Sequence, residues 1–137
     1  VMNYTYKDNT KEVLSALKKA KIRGLKAIGI EAEGFAKEDP NMPVDTGLAR
    51  NSITSALAGE GARVKSYKAD KGDGKGSYSG TAEGEKGEAV FLGSNVEYFV
   101  FIENGSRTIN ARHVLRNAAS GHADRYKELM EDSMKNA

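Results

Sequence analysis

Over the first third of the chain the apolar positions recur at helical steps. Leu14, Leu17, Leu25, Ile28, Ala32 and Phe35 fall on one face, interrupted by Lys21, which must reach round to solvent or face a partner. Asn9, or Thr10 beside it, is placed to cap this helix, and Glu12 completes a capping box with Asn9. Gly24, Gly29 and Gly34 each weaken the helix by about 1 kcal/mol relative to alanine, which points to a bend or a closely packed neighbour. Asp39-Pro40 and Met42-Pro43 end it, because the residue before a proline is driven out of the helical region.

After this helix the pattern changes to short, β-prone runs. Asp45-Thr46-Gly47 reads as a structural corner, with the Asp45 carboxylate accepting backbone N–H bonds and capping the short turn Leu48 to Asn51. Ser52 to Ala58 is the first predicted strand, and Ala62 to Ala69, with Val64 and Tyr67 among polar residues, a weaker second. Ala89 to Gly93 is the most strand-like run and is expected in the middle of a sheet, with Val90 and Leu92 on one face. Asn95 to Asn104 is too apolar for a solvated loop. It reads as a short helix, with a strand as the alternative, since short apolar runs do not distinguish the two by period. Ala118 to Met134 reads as a C-terminal helix with Tyr126, Leu129 and Met130 inward. Between the strands, residues 70–88 are rich in glycine and charge. Such a composition does not offset its own ordering entropy, so a mobile loop or arm is expected, with Tyr78 as its one aromatic anchor for an adjacent subunit.

These elements predict an α+β fold: a small antiparallel sheet packed against a long N-terminal helix and a C-terminal helix, with a long glycine-rich loop. The length of 137 residues suits one domain over the whole chain, and the absence of cysteine removes any disulfide framework or thiol nucleophile. No run approaches the roughly 20 apolar residues of a membrane helix, and the N-terminus lacks the pattern of a leader, so a soluble protein with no membrane contact is expected. The net charge of +2 is nearly balanced, yet from Lys11 to Lys26 the chain carries Lys11, Lys18, Lys19, Lys21, Arg23 and Lys26 against Glu12 alone, whereas Glu31 to Asp39 is acidic.

Little in the chain points to catalysis. The stretch Gly72 to Ser77 has Gly76 after its lysine, where a phosphate loop needs Ser or Thr to reach Mg²⁺. Asp70 and Asp73 lack calcium-loop spacing. His113 and His122 are the only histidines available as bases, and neither adjoins a strained nucleophile turn; His113 reads as partly buried and His122 as a surface residue at a helix start. No catalytic residue, metal site or cofactor is expected.

Two segments resemble the small neck proteins of long-tailed bacteriophages, the tail-completion or head-to-tail joining family. The first is Pro43-Val44-Asp45-Thr46-Gly47-Leu48-Ala49-Arg50-Asn51-Ser52-Ile53, similar to that family's Pro-Val-Asp-Thr-Gly corner followed by Leu, Arg and Ser-Ile. The second runs through Leu92-Gly93-Ser94-Asn95-Val96-Glu97-Tyr98 and Phe101-Ile102-Glu103-Asn104-Gly105-Ser106 to Ala111-Arg112-His113-Val114-Leu115-Arg116-Asn117-Ala118. The family usually has Pro, Phe and Pro where His113, Val114 and Asn117 stand, and it lacks the long glycine-rich insertion.

The resemblance implies a structural virion protein of a phage or prophage rather than an enzyme. It would be assembled in the host cytoplasm and sit in the virion neck as a ring, six- or twelve-fold, around the DNA channel. Its implied partners are copies of itself, neighbouring neck, connector and tail-terminator proteins, and DNA passing through without sequence-specific binding. Arg107, Arg112 and Arg116 are the expected assembly contacts, since guanidinium forks pair with carboxylates and are enriched at interfaces, with Glu97 and Glu103 as partners in the same chain or a neighbour. The alternative is a small nucleic-acid-binding protein that uses the basic helix from Lys11 to Lys26.

Overall fold

The computed structural model describes residues 8–137, so the N-terminal stretch read for a leader lies outside the described residues. The order is α1 (Thr10–Glu38), α2 (Leu48–Ser52), β1 (Thr54–Leu57), β2 (Ser66–Lys68), β3 (Lys75–Ser77), β4 (Val90–Gly93), α3 (Phe99–Asn104), α4 (Val114–Ser120) and α5 (Ala123–Lys135). The α+β class is as the pattern predicts.

Helix α1 has 29 residues, about 43 Å at 1.5 Å per residue. Its expected capping box does not form: Asn9 makes no side-chain cap, and Asp8 Oδ1 instead accepts the Thr10 N–H at 2.9 Å and the Thr10 hydroxyl. An anionic oxygen beside the first free N–H also suits the positive end of the helix dipole. The helix buries two faces. Gly29, Glu33 and Ala36 turn toward the strands and core, while Ala20 and Gly24 lie under α5. Leu14 and Leu17, expected on the buried face, are exposed, because the strands lie under the second half of the helix and residues 10–19 overhang.

Strand β1 pairs antiparallel with β4, with Thr54 opposite Gly93 and Leu57 opposite Val90. This sheet has two strands, so β4 lies at an edge and not in the middle; β2 pairs with β3 in a separate hairpin instead. Alternation puts Val90 and Leu92 on the inner face, where Val90 meets Gly29 of α1 and Leu92 packs on the core, and turns Phe91 outward. That core is Ala36, Met42, Ala49, Ile53, Phe99, Val114 and Ala118, closed by Phe35, Val96, Ile102 and Leu115.

The segment expected as a mobile loop or arm contains defined elements. Residues 70–88 contain β3, and Ala82 forms a parallel bridge to Ala58, with the Gly59 N–H donating to Ala82 O at 2.9 Å. Lys86 pairs with Glu60 at 2.9 Å. The C-terminal helix is also different from expectation, being divided at Gly121-His122 into α4 and α5. His122 is no simple surface residue: its ring stacks on Phe35 with centroids 3.6 Å apart and an interplanar angle of 3°. Helix α5 lies along α1, held by Arg125 Nε and Nη2 on the two Glu31 oxygens at 2.8 and 2.7 Å and by Ser133 Oγ donating to Ala20 O. These hydrogen bonds hold the Glu31 carboxyl below its ordinary pKa and raise that of Arg125. Gly24 lets the helices approach, since a Cβ there would lie 2.7 Å from the Met130 sulfur.

One ion pair joins α1 to the strands. Glu33 is 2% exposed, and its carboxylate accepts Arg63 Nε at 2.6 Å, Arg63 Nη2 at 3.0 Å and Ser55 Oγ at 3.1 Å. Replacing Arg63 with Ala leaves a buried charge with one hydroxyl partner and should cost about 1–3 kcal/mol. Chemical denaturation checks this, and Glu33→Gln added to Arg63→Ala should recover part of the loss.

Candidate assembly surface

The two segments that carry the family resemblance come together at the C-terminal end of α1. Gly47, at φ +82, turns the chain into α2, and Thr46 Oγ1 accepts the Leu48 N–H at 3.3 Å. Asp45, expected to cap this turn, is exposed to solvent, and the carboxylate that secures the corner is Asp70. Asp70 accepts Arg50 Nη2 at 2.7 Å and Asn51 Nδ2 at 3.0 Å, while the Asp70 and Lys71 N–H groups both donate to Thr46 O. Gly47 is required twice over: its φ lies in the left-handed region, and a Cβ would collide with the Asp70 carboxylate. The position assigned to Asp45 from adjacency is thus filled by a residue of the glycine-rich segment.

Tyr78 is engaged within its own chain. Its hydroxyl donates to Ser52 O at 2.6 Å and accepts the Asn95 N–H at 3.0 Å, and its ring packs on Tyr67, 5.6 Å away. The Tyr67 hydroxyl donates to Asn95 Oδ1, and Asn95 Nδ2 donates to Ser77 O at 2.8 Å. Burial pushes the Tyr78 pKa up. This network ties the hairpin to the segment before α3 and leaves Tyr78 only partly accessible to an adjacent subunit.

Glu103 is equally committed. Its carboxylate accepts the Leu115 N–H at 2.8 Å and the Arg116 N–H at 3.0 Å, and its carbonyl accepts the His113 N–H at 3.1 Å. It therefore caps α4 and meets Arg116 through the backbone, not the guanidinium. His113 precedes α4 in the left-handed conformation, at φ 50, with Nδ1 buried and unpartnered among the described residues. Arg112 Nη1 donates to Asn41 O at 3.0 Å. Arg107, Arg112, Arg116 and Glu97 are exposed, and none forms an ion pair among the described residues.

Between the corner and α3 lies an open groove of about 300 Å³, lined by Pro43, Leu48, Tyr98, Phe101, Ile109 and Arg112. Phe101 is 50% and Tyr98 44% exposed, and Val44, Val100 and Ile109 show similar fractions. The apolar run Asn95 to Asn104 thus buries Phe99, packs Val96 and Ile102 on the core and presents Tyr98, Val100 and Phe101 outward. Arg112 is the one member of the expected arginine set that borders this groove. The excess of large side chains in this run is the sequence signal of a segment that is buried or meets a partner; which of them face outward had no local signal. No protein-family model, curated protein or solved structure matches the chain.

Replacing Glu103 with Ala should lower stability by about 0.5–2 kcal/mol, the range for losing a helix cap. Asp45→Ala should stay within about 0.5 kcal/mol, as for surface changes in general. Urea denaturation of the two variants measures the difference.

Proposed function

We propose that the chain is a structural subunit of the neck of a long-tailed bacteriophage or prophage, one copy in a ring that joins the head connector to the tail around the DNA channel. The observation that carries this reading is the groove. Large apolar side chains concentrated on one surface gain by being covered, and a contiguous patch of this kind, flanked by arginine, is the composition of an assembly interface. A closed ring needs two different surfaces on each copy. The second is available at the opposite end of α1, where Val13, Leu14 and Leu17 are exposed on the overhang. The packing of both family-like segments into a common core, through Ala49 and Ile53 from one and Phe99, Val114 and Ala118 from the other, supports treating them as one motif. The six- or twelve-fold count and the neighbouring neck proteins follow from the resemblance.

The purified chain should form closed rings by negative-stain microscopy and mass photometry. Phe101→Glu should keep its helical circular dichroism and sediment as a smaller species. A wild-type chain that is missing from purified particles and never forms rings would overturn the reading.

A second reading, nucleic-acid binding, is favoured by one observation. Lys11, Lys18, Lys19, Lys21, Arg23 and Lys26 are all exposed, and none forms an ion pair among the described residues. If this face binds phosphates, affinity for duplex DNA should fall steeply with salt, and Lys18→Gln with Lys19→Gln should flatten that dependence. Fluorescence anisotropy across a salt series measures both; absence of binding at near-physiological ionic strength removes the reading.

A further inference from the structure

The outer edge of β4 is unpaired. In the β1–β4 pairing the Ala58 N–H donates to Ala89 O at 3.0 Å, and the alternation of an antiparallel ladder then turns the backbone groups of Phe91 and Gly93 toward β1. The N–H and C=O of Val90 and Leu92 point the other way, and among the described residues nothing pairs with them. An edge of this kind is a template for another strand, and proteins commonly blunt it with lysine, proline or a covering segment.

The two sheets differ in that respect. The β2–β3 hairpin carries Lys68 and Lys75 and gives the carbonyls of Lys68 and Ser77 to the side chains of Asn51 and Asn95. From Ala89 to Asn95 there is no charged residue and no proline. Phe91 stands 48% exposed on the outer face, and a Cβ on Gly93 would meet nothing within 4 Å.

We infer that β4 is a self-docking edge, on which a second copy of this chain lays its own β4 antiparallel. The occupant follows from self-complementarity. With Val90 opposite Leu92 of the second copy, and the reverse, each outward N–H finds an outward C=O and four hydrogen bonds form about a two-fold axis. Phe91 then faces Phe91 of the second copy as a non-hydrogen-bonded pair, with Cα atoms about 4.5 Å apart. The exposed ring is covered by its counterpart, and the flanking Glu88 falls opposite Ser94, so no like charges meet. The result is a continuous four-stranded sheet, β1-β4-β4-β1. This contact uses a surface separate from the groove and does not depend on the neck reading.

The chain contains no cysteine, so Phe91→Cys places one thiol beside the axis at a spacing a disulfide can bridge. Mild oxidation should convert most of this variant to a covalent dimer, while Val13→Cys, on the α1 overhang, should not cross-link comparably. In the unmodified chain, hydrogen exchange at the Val90 and Leu92 amides should slow as protein concentration rises. Phe91→Lys should abolish that concentration dependence with circular dichroism unchanged. Exchange that is fast at every concentration, or a thiol that stays free when the Phe91→Cys variant is oxidised, would overturn the inference. Phe101→Glu should leave the cross-link intact even if it abolishes rings; loss of the cross-link in that background would assign the self-contact to the groove and overturn the strand pairing.

Discussion

A buried carboxylate sets how α1 sits on the strands. Taking Glu33 out of water is unfavourable unless its charge is matched, and Arg63 matches it while keeping 49% of its own side chain in solvent, so only one partner bears full desolvation. The pair fixes the rotation of α1 about its axis. With Glu33 turned to Ser55, Gly29 falls over Val90 and Ala36 enters the core. Arg63 is itself anchored to the strand, since its N–H donates to Ser55 O at 2.9 Å. One group thus locates α1 on β1 and on the loop that follows β1.

The elements with strong periodicity were legible in the sequence: the long helix, the strands at Thr54–Leu57 and Val90–Gly93, and the short helix before Gly105. Glu33 was not, because an acid in a helix ordinarily reads as a solvated position; its signal was the step from Gly29 to Glu33 to Ala36 along one face. The contacts of the glycine-rich segment were not legible, for a physical reason. Composition counts apolar side chains, whereas this segment is held by hydrogen bonds at its ends and by Tyr78, whose hydroxyl both donates and accepts. The corner misled in another way. Asp45 stands beside the turn in sequence, but Asp70 reaches it across the hairpin, and a contact between residues 20 apart leaves no local pattern.

The same commitments explain which parts of the surface remain free. Glu103 and Tyr78 spend their polar groups inside the chain, so surface chemistry falls to the exposed arginines, the basic face of α1 and the apolar side chains of α3. The arrangement separates roles by element. The second half of α1 and the corner carry the internal contacts, and the overhang and α3 carry unsatisfied ones.

The backbone at His113 has a consequence for sequence variation. A proline ring holds φ near −65°, and His113 sits at φ 50, on the opposite side of zero. A proline at residue 113 would therefore demand a different bend into α4, and it would also remove the N–H that donates to Glu103 O. Such a change cannot proceed by a single replacement at residue 113. The cap from Glu103 and the hydrogen bond from the Arg112 N–H to Ile102 O would have to move with it, so the junction can change only as a unit.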